Sequence, residues 1–540
     1  MMNRKLFFPV LLLGTGISLF AFIDDKREPT HLIYAETITA ADLKTHLSII
    51  ASDEYEGRET GKKGQHMTAE YLAKQFLSYG IMPISSLSGW KPGQSEAPHP
   101  SDYYQNVPLV QLRAGGGSIK TATQTFSFGA DFYYTNGIDD QQVHIENIVF
   151  AGYGIQDSAR HDYDNLDVSG KAVMVIAEEP FDKKGVSLIT GKKEFSPWST
   201  NRRKKSAEAR GRKATALLIV VPDFKNKYKQ NRRQIESPTL QLDEPKKKEE
   251  ADMPVIYISQ EMADRLLKEA KQKQTIGKLV ANAKKKKVSN FSFALKTDID
   301  ISRHAEKITS ENVLGYIEGT DLKNELVVVT AHMDHLGKDS TIVYNGADDD
   351  GSGTVAVLEM AEAFAKARKN GHGPRRSILF MLVTGEERGL LGSKWYTDHP
   401  VFPLENTVCN LNIDMIGRID PAHKNDTNYI YVIGSDKLSN ELKEINEKNN
   451  ERYTHMLLDY KYDVPNEPNN FYQRSDHYNF AKNNIPIAFF FNGTHADYHK
   501  ESDEVSKINF PLMERRTHLI FYDCWEIANR DKRLLLNSKK

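Results

Sequence analysis

The sequence predicts an α/β fold: a sandwich whose largely parallel central sheet is flanked by helices, with an inserted β-rich domain. Three observations predict it. Between residues 312 and 527 short apolar runs alternate with stretches of helical periodicity, the pattern of strand, helix, strand, helix. The polar residues of that region gather just past the apolar runs, where open parallel sheets hold ligands. Between about 121 and 295 the texture changes to short apolar runs separated by long charged connections.

Taken in order, the chain begins with a basic stretch, Met1-Met-Asn-Arg-Lys5, and an apolar run over 6–22 broken by glycine, serine, threonine and Pro9. This is the pattern of a secretory signal peptide over 1–25, with retention as a single N-terminal anchor the alternative. No cysteine follows the run, which argues against a lipoprotein signal, and the mature chain is expected to be exported. Leu43, Leu47 and Ile50 mark one helix and 66–79 a second, stopped by Gly80. Serine, proline and glycine make 85–101 a loop, and strands resume over 103–112. These pieces, 38–120, form the first part of one domain. The inserted domain, 121–298, has strands expected at 148–153, 172–176, 216–221 and 255–258, and a helix at 205–212. The remainder, 299–535, returns to the first domain. Its expected strands are 326–330, 377–384, 407–415, 430–434 and 487–491, and its expected helices 352–369, 390–398, 437–448 and 509–530.

Composition excludes more than it selects. The 540 residues are 39% hydrophobic and 27% charged, with 72 basic and 73 acidic side chains. That is a globular protein with no global signal for nucleic acid, and none for a membrane beyond the N-terminal run. The local basic runs at 202–205, 246–248 and 284–287 lie close to acidic or small residues and read as solvated faces. Cys409 and Cys524 have no zinc-finger spacing, so any metal must use oxygen and imidazole ligands. Whether the two form a disulfide is open, since sequence does not say that they are close in space.

The chemistry collects in four clusters. The first strand runs into Ala331-His-Met-Asp-His335 and the second into Thr384-Gly-Glu-Glu-Arg-Gly389. The third reaches Asn412-Ile-Asp-Met-Ile-Gly417, and the last leads to Asn492-Gly-Thr-His-Ala-Asp-Tyr-His499. Between the first strand and its helix stands Asn345-Gly-Ala-Asp-Asp-Asp-Gly-Ser-Gly353, three carboxylates among small residues. Singly, each has an ordinary explanation: a hydrogen-bonded surface histidine, a solvated helix start, or a helix cap at Asp350 or Ser352. Together at corresponding strand ends they describe a site for metal ions.

The set resembles the M28 family of two-zinc metallopeptidases, in motif content and in order along the chain. The stretch Ala51-Ser-Asp-Glu-Tyr-Glu-Gly-Arg-Glu-Thr-Gly61 is similar to the start of such a peptidase domain. The insert resembles a protease-associated domain through Gly152-Tyr-Gly154, Asp162-Tyr163, Asp167-Val-Ser-Gly-Lys171 and Ser206-Ala-Glu-Ala-Arg-Gly211. The resemblance implies two Zn2+ ions, with Asp348 bridging them, His332 and Asp414 completing one site, and Glu387 and His499 the other. It implies Glu386 as the general base acting on a metal-bound water, and Asp334 as the group steadying the ring of His332. It implies Tyr472, shortly before Ser475-Asp-His477, as a stabiliser of the oxyanion, and a cis peptide between Asp348 and Asp349. His335, His495, Asp476 and His477 are not expected to bind metal. Arg388 and Lys500 put positive charge near the site and are expected to pair with nearby acids, among them Glu501 and Asp503.

The expected function is an exported aminopeptidase acting on peptides or small proteins. A carboxypeptidase or dipeptidase on the same scaffold is the alternative, a glutaminyl cyclase or an inactive receptor the more distant ones. Residue preference, oligomeric state and the role of the insert are not legible.

Overall fold

The computed structural model describes residues 30–84, 98–135, 138–244, 252–283 and 290–538. The expected signal segment lies outside the described residues, as do most of the expected loop at 85–101 and the basic runs at 246–248 and 284–287. No helix among the described residues is long and apolar enough to cross a membrane.

The main sheet contains β1 (Tyr104–Ala114), β2 (Thr239–Leu242), β3 (Arg303–Ile317), β4 (Leu322–His332), β5 (Arg376–Val383), β6 (Thr407–Ile413), β7 (Tyr429–Ile433), β8 (Leu457–Asp459) and β9 (Ile487–Phe491). They are ordered β2-β1-β3-β5-β4-β6-β9-β7-β8, and Met82–Pro83 adds a short pairing on β3. The centre, β5-β4-β6-β9, is parallel, and the sheet turns antiparallel on both sides of it at β3 and β7. Alternation along β4 explains the layers. Val327, Val329 and Ala331 face one core while Leu326 and Val328 face the other.

Helices α1 (Ala40–Ile50), α2 (Lys63–Ser78), α3 (Gly353–Lys369) and α4 (Phe510–Asn529) cover the first face. Their buried side chains, including Leu47, Phe76, Phe364 and Phe521, share a core with the sheet. The second face is covered partly by Tyr396 and Phe480, from short helices after β5 and before β9. Burying both faces accounts for the continuous apolar runs of the central strands.

The second sheet has eight strands, all between Ser118 and Ile301. Gln141–Ala151, Ala172–Ile176, Ala216–Val221 and Val255–Ser259 run parallel, with Asn290–Ile301 antiparallel beside the first. From the same stretch of chain, β2 alone joins the main sheet, by pairing with β1.

Candidate metal centre

Four parallel strands bring their carboxyl ends to one rim. His332 is the last residue of β4, Glu386 and Glu387 follow β5, Asp414 follows β6, and the loop after β9 carries His495 and His499. Two backbone positions there are held in the left-handed region without glycine, Met415 at φ 62° and His499 at φ 57°. Such strain is kept where the surrounding structure enforces a functional geometry.

The carboxylate between the two halves of the cluster is that of Asp349. One oxygen lies 3.3 Å from His332 Nε2 and the other 3.1 Å from His499 Nε2. The sequence reading put Asp348 in this place, one residue too early. Asp503 explains the difference: one of its carboxylate oxygens accepts the backbone N–H of both Asp348 (3.0 Å) and Asp349 (3.1 Å). With the backbone so pinned, the Asp348 side chain is directed to Gly417 N (2.7 Å), Ser352 Oγ (3.1 Å) and His495 Nε2 (3.1 Å). The cis peptide likewise joins Asp349 to Asp350, not Asp348 to Asp349. Asp350 accepts the backbone N–H groups of His332, Gly353 and Met415, which ties the acidic loop to two strand ends, while its carboxylate stays close enough to His332 and Asp414 for the three to hold an ion.

Around Asp349 the remaining groups fall into two sets. His332 Nε2 is 3.7 Å from Asp414 Oδ1 and 3.9 Å from Glu386 Oε2. His499 Nε2 is 3.3 Å from Glu387 Oε2. His335, fully buried, lies 2.9 Å from the other oxygen of Glu387, and its ring is tilted toward that of His499. It is also 3.9 Å from Asp349 Oδ2, so His335 and His499 both face Glu387 and Asp349, and His335, Asp349 and Glu387 lie close enough together to hold an ion. Asp334 steadies His332 through its backbone carbonyl, 3.0 Å from Nδ1. Its carboxylate does something else, accepting Thr60 Oγ at 2.7 Å and the N–H of Glu386 at 3.1 Å. Asp414 is held by Ser475 Oγ at 2.7 Å, which in turn is fixed by Asn412.

The arrangement fits a pair of divalent cations. His332 Nε2, Asp349 Oδ2 and Glu387 Oε1 are buried, and although imidazole and carboxylate atoms approach one another here, none of these contacts has the alignment of a hydrogen bond. Buried polar atoms left so are rare in folded proteins and call for a further partner. Nitrogen and carboxylate donors without thiolate suit zinc in an open, catalytic site. Electrostatics agree. Burial lowers the pKa of His499, yet the Asp349 and Glu387 carboxylates push it up to about 10. Burial raises Glu386 well above the ordinary glutamate range, and the charges of Glu387, Asp414 and Asp476 add to it. This is a strongly negative field in a water-poor place, which a dication would balance.

Tyr472 is not at this cleft. Its ring packs against Gly434, His477 and Tyr478, with the Lys437 ammonium 5.0 Å from its centre. The tyrosine that lines the cleft is Tyr498, stacked on His499 with ring centres 3.9 Å apart and accepting Arg474 Nη2 at 3.0 Å. Met415, Phe471, Phe489 and Phe491 supply an apolar wall. Asp476 and His477 turn away, to Ser393 and to the carbonyl of Tyr472. Arg388 pairs with Glu59, and Lys500 Nζ donates to the carbonyl of Ala496.

One residue had no sequence signal for its role. Arg58, fully buried, donates to the carbonyls of Ile50, Met333, Asn345 and Gly346. It thereby fastens the residue after His332 to the start of the acidic loop. Gly57, at φ 65°, lets the chain pass so close to the carbonyls of Gly337 and Tyr344 that any side chain would collide with them. The spacing in sequence, almost 300 residues, hides such a contact from any local reading.

Comparison with known proteins follows the same outline. Residues 312–522 match the profile of peptidase family M28. The region is an M28 domain. Leucine aminopeptidase 2 of Trichophyton equinum is 28% identical over 244 residues, 41% of this chain and 46% of its own length. Aminopeptidase YwaD of Bacillus subtilis is 37% identical over 111 residues, 20% of this chain and 22% of its own. The chain thus spans less than half the length of these curated relatives. Among solved structures, an aminopeptidase from Aneurinibacillus sp. strain AM-1 has a TM-score of 0.51 at 16% identity, covering 95% of this chain and 99% of the other. That likeness concerns the fold. The M28 match begins at residue 312, so Arg58 and Thr60 complete the M28 site from outside the matched segment.

Proposed function

We propose that the chain is an exported zinc-dependent aminopeptidase, with two ions held between Asp349 and the pairs His332/Asp414 and His499/Glu387. The observation that carries this is the Asp349 carboxylate, with one oxygen toward each imidazole. Two zinc ions so held would lower the pKa of water and polarise the scissile carbonyl. Glu386 is the general base: it takes a proton from the attacking water and delivers it to the departing amine, so the chain ends the cycle as it began. Its backbone N–H is fixed by Asp334, which aims the carboxylate. Arg474 occupies Tyr498 Oη as an acceptor, so the phenolic proton is available for the oxygen of the tetrahedral intermediate. The acidic surroundings favour the free ammonium of a substrate N-terminus, and the wall of Met415, Phe471, Phe489 and Phe491 favours an apolar first side chain.

The insert, 121–298, reads as a protease-associated domain on the strength of its motifs. Export follows from the N-terminal run and is tested by sequencing the N-terminus of the mature protein. The activity is tested with zinc-loaded protein on peptides bearing free, N-blocked or C-blocked ends. An aminopeptidase cleaves the first residue from free and C-blocked peptides and leaves N-blocked ones intact. Cleavage of N-blocked peptides at the C-terminus contradicts the reading and selects a carboxypeptidase.

A further inference from the structure

In the second sheet the parallel strands Ala172–Ile176, Ala216–Val221 and Val255–Ser259 border a cavity of about 270 Å3. Ala177 and Val221 line it at two of the carboxyl ends, the place where open α/β sheets hold ligands. Its volume is near the lower end of small-molecule sites, roughly 300 Å3. It shares no lining residue with the M28 cleft.

The walls differ in kind. Trp198 is 4% exposed and its ring is fixed by an indole N–H bond to Asp157 Oδ2 at 2.5 Å. Tyr257 stacks on Tyr133, 4.8 Å between centres and 10° between planes. Lys205, also 4% exposed, donates to the carbonyls of Ile176 (3.0 Å) and Glu178 (2.5 Å). An ammonium has three N–H groups, so one is left without an oxygen partner, with the Tyr153 ring centre 5.9 Å from Nζ. No carboxylate among the described residues lies within ion-pair distance of it; burial pulls its pKa down to about 7 against the more distant charges of Asp162, Glu179 and Glu178. A buried cation that no carboxylate touches is costly, and an anion in direct contact offsets that cost. At the half-exposed rim Lys227 Nζ lies 3.2 Å from Glu178 Oε1, and Glu178 holds a left-handed backbone at φ 59°. The cavity thus offers two cations, one carboxylate and flat apolar faces.

We propose that this cavity binds a free α-amino acid with an aliphatic or aromatic side chain. The carboxylate is received by Lys205 and Lys227, the ammonium by Glu178, and the side chain by Trp198 and Tyr257. An aminopeptidase releases such molecules, so the source of the ligand rests on the proposed function, while the chemistry of the cavity does not.

The test is calorimetric titration of the zinc-loaded full chain with L-phenylalanine, its amide and its N-acetyl form. A product site at the metal centre is counted separately, as the binding that survives Lys205→Met. A Lys205-dependent site is expected, weakened at least about 10-fold for the amide and in Lys205→Met, because one partner of a desolvated charge pair is lost. Glu178→Gln, at the exposed rim and safe for folding, is expected to weaken phenylalanine and leave the N-acetyl form unchanged. Turnover without added amino acid is expected to stay within about 2-fold of wild type in both variants. Titrations identical in wild type, Lys205→Met and Glu178→Gln overturn the proposal, as does equal affinity for phenylalanine and its amide. Lys205-dependent binding without turnover of any peptide leaves this site standing and overturns the peptidase reading; turnover without such binding does the reverse.

Discussion

Past the ends of β4, β5, β6 and β9 the chain places aspartate, glutamate and histidine; past the ends of Ala172–Ile176 and Ala216–Val221 it places aromatic rings and lysine. Both crevices arise from the same topology, parallel strands whose connections leave the carboxyl ends uncovered. At the first, several carboxylates share one buried space and raise the pKa of His499 to about 10. At the second, Lys205 is buried with carbonyl partners and its pKa falls to about 7. The lesson is that topology sets where a ligand can sit, and the sign of the buried charge sets what it is. A negative field asks for metal cations, a buried ammonium held only by carbonyls for an organic anion.

The sharpest break of this comparison is at Glu386. Glu386→Gln keeps the shape and removes the proton acceptor, so turnover is expected to fall about 10²–10⁴-fold while zinc content, measured by atomic emission, is unchanged. Loss of zinc in that variant would make Glu386 a ligand and not the base. Next comes the clamp. Arg58→Met leaves the carbonyls of Ile50, Met333, Asn345 and Gly346 buried without their donor. At about 1–3 kcal/mol for each orphaned group, a marked drop in Tm is expected, with weaker zinc retention under chelator challenge. Arg58→Lys is expected to recover only part of both, since one ammonium cannot span four acceptors. Unchanged zinc retention in Arg58→Met would reduce the clamp to a fold contact.

The smallest effect concerns His477, whose pKa burial pulls down to about 3 from an ordinary 6.5. Below 6.5 the unfolded chain binds a proton that the folded chain refuses. The contribution is therefore fully present above pH 6.5 and lost as pH falls toward 3. His477→Gln removes that proton uptake, so its unfolding midpoint in urea is expected to decline less steeply from pH 7 to pH 4 than that of wild type. Parallel declines would show that His477 is protonated in the folded state.

Much of this was legible in the sequence, and the exceptions have physical reasons. Continuous apolar runs marked the central strands because both faces of the sheet are covered, and the expected helix at 352–369 is α3, Gly353–Lys369, within one residue. His332, Glu386, Glu387, Asp414 and His499 all lie around one cleft because each directly follows a buried strand or its loop. Which of three adjacent aspartates enters the cleft is decided by Asp503, about 155 residues away, and no local pattern encodes that. Which tyrosine lines the cleft is also set by packing. Tyr472 has the expected motif spacing, but it packs beside Gly434 and against the apolar wall without lining the cleft, while Tyr498 lines it and stacks on His499. Arg58 shows the same limit most plainly, since its four acceptors lie in three separate segments.

The bridging role proposed for Asp349 offers the most direct measurement: zinc stoichiometry, per chain, of wild type, Asp349→Ala and Asp348→Ala after equilibrium dialysis. The geometry around His332 and His499 predicts two ions in wild type, at most one in Asp349→Ala, and two in Asp348→Ala, with Tm lowered in the last by loss of the bonds to Gly417 and Ser352. Two ions retained in Asp349→Ala and lost in Asp348→Ala would contradict it.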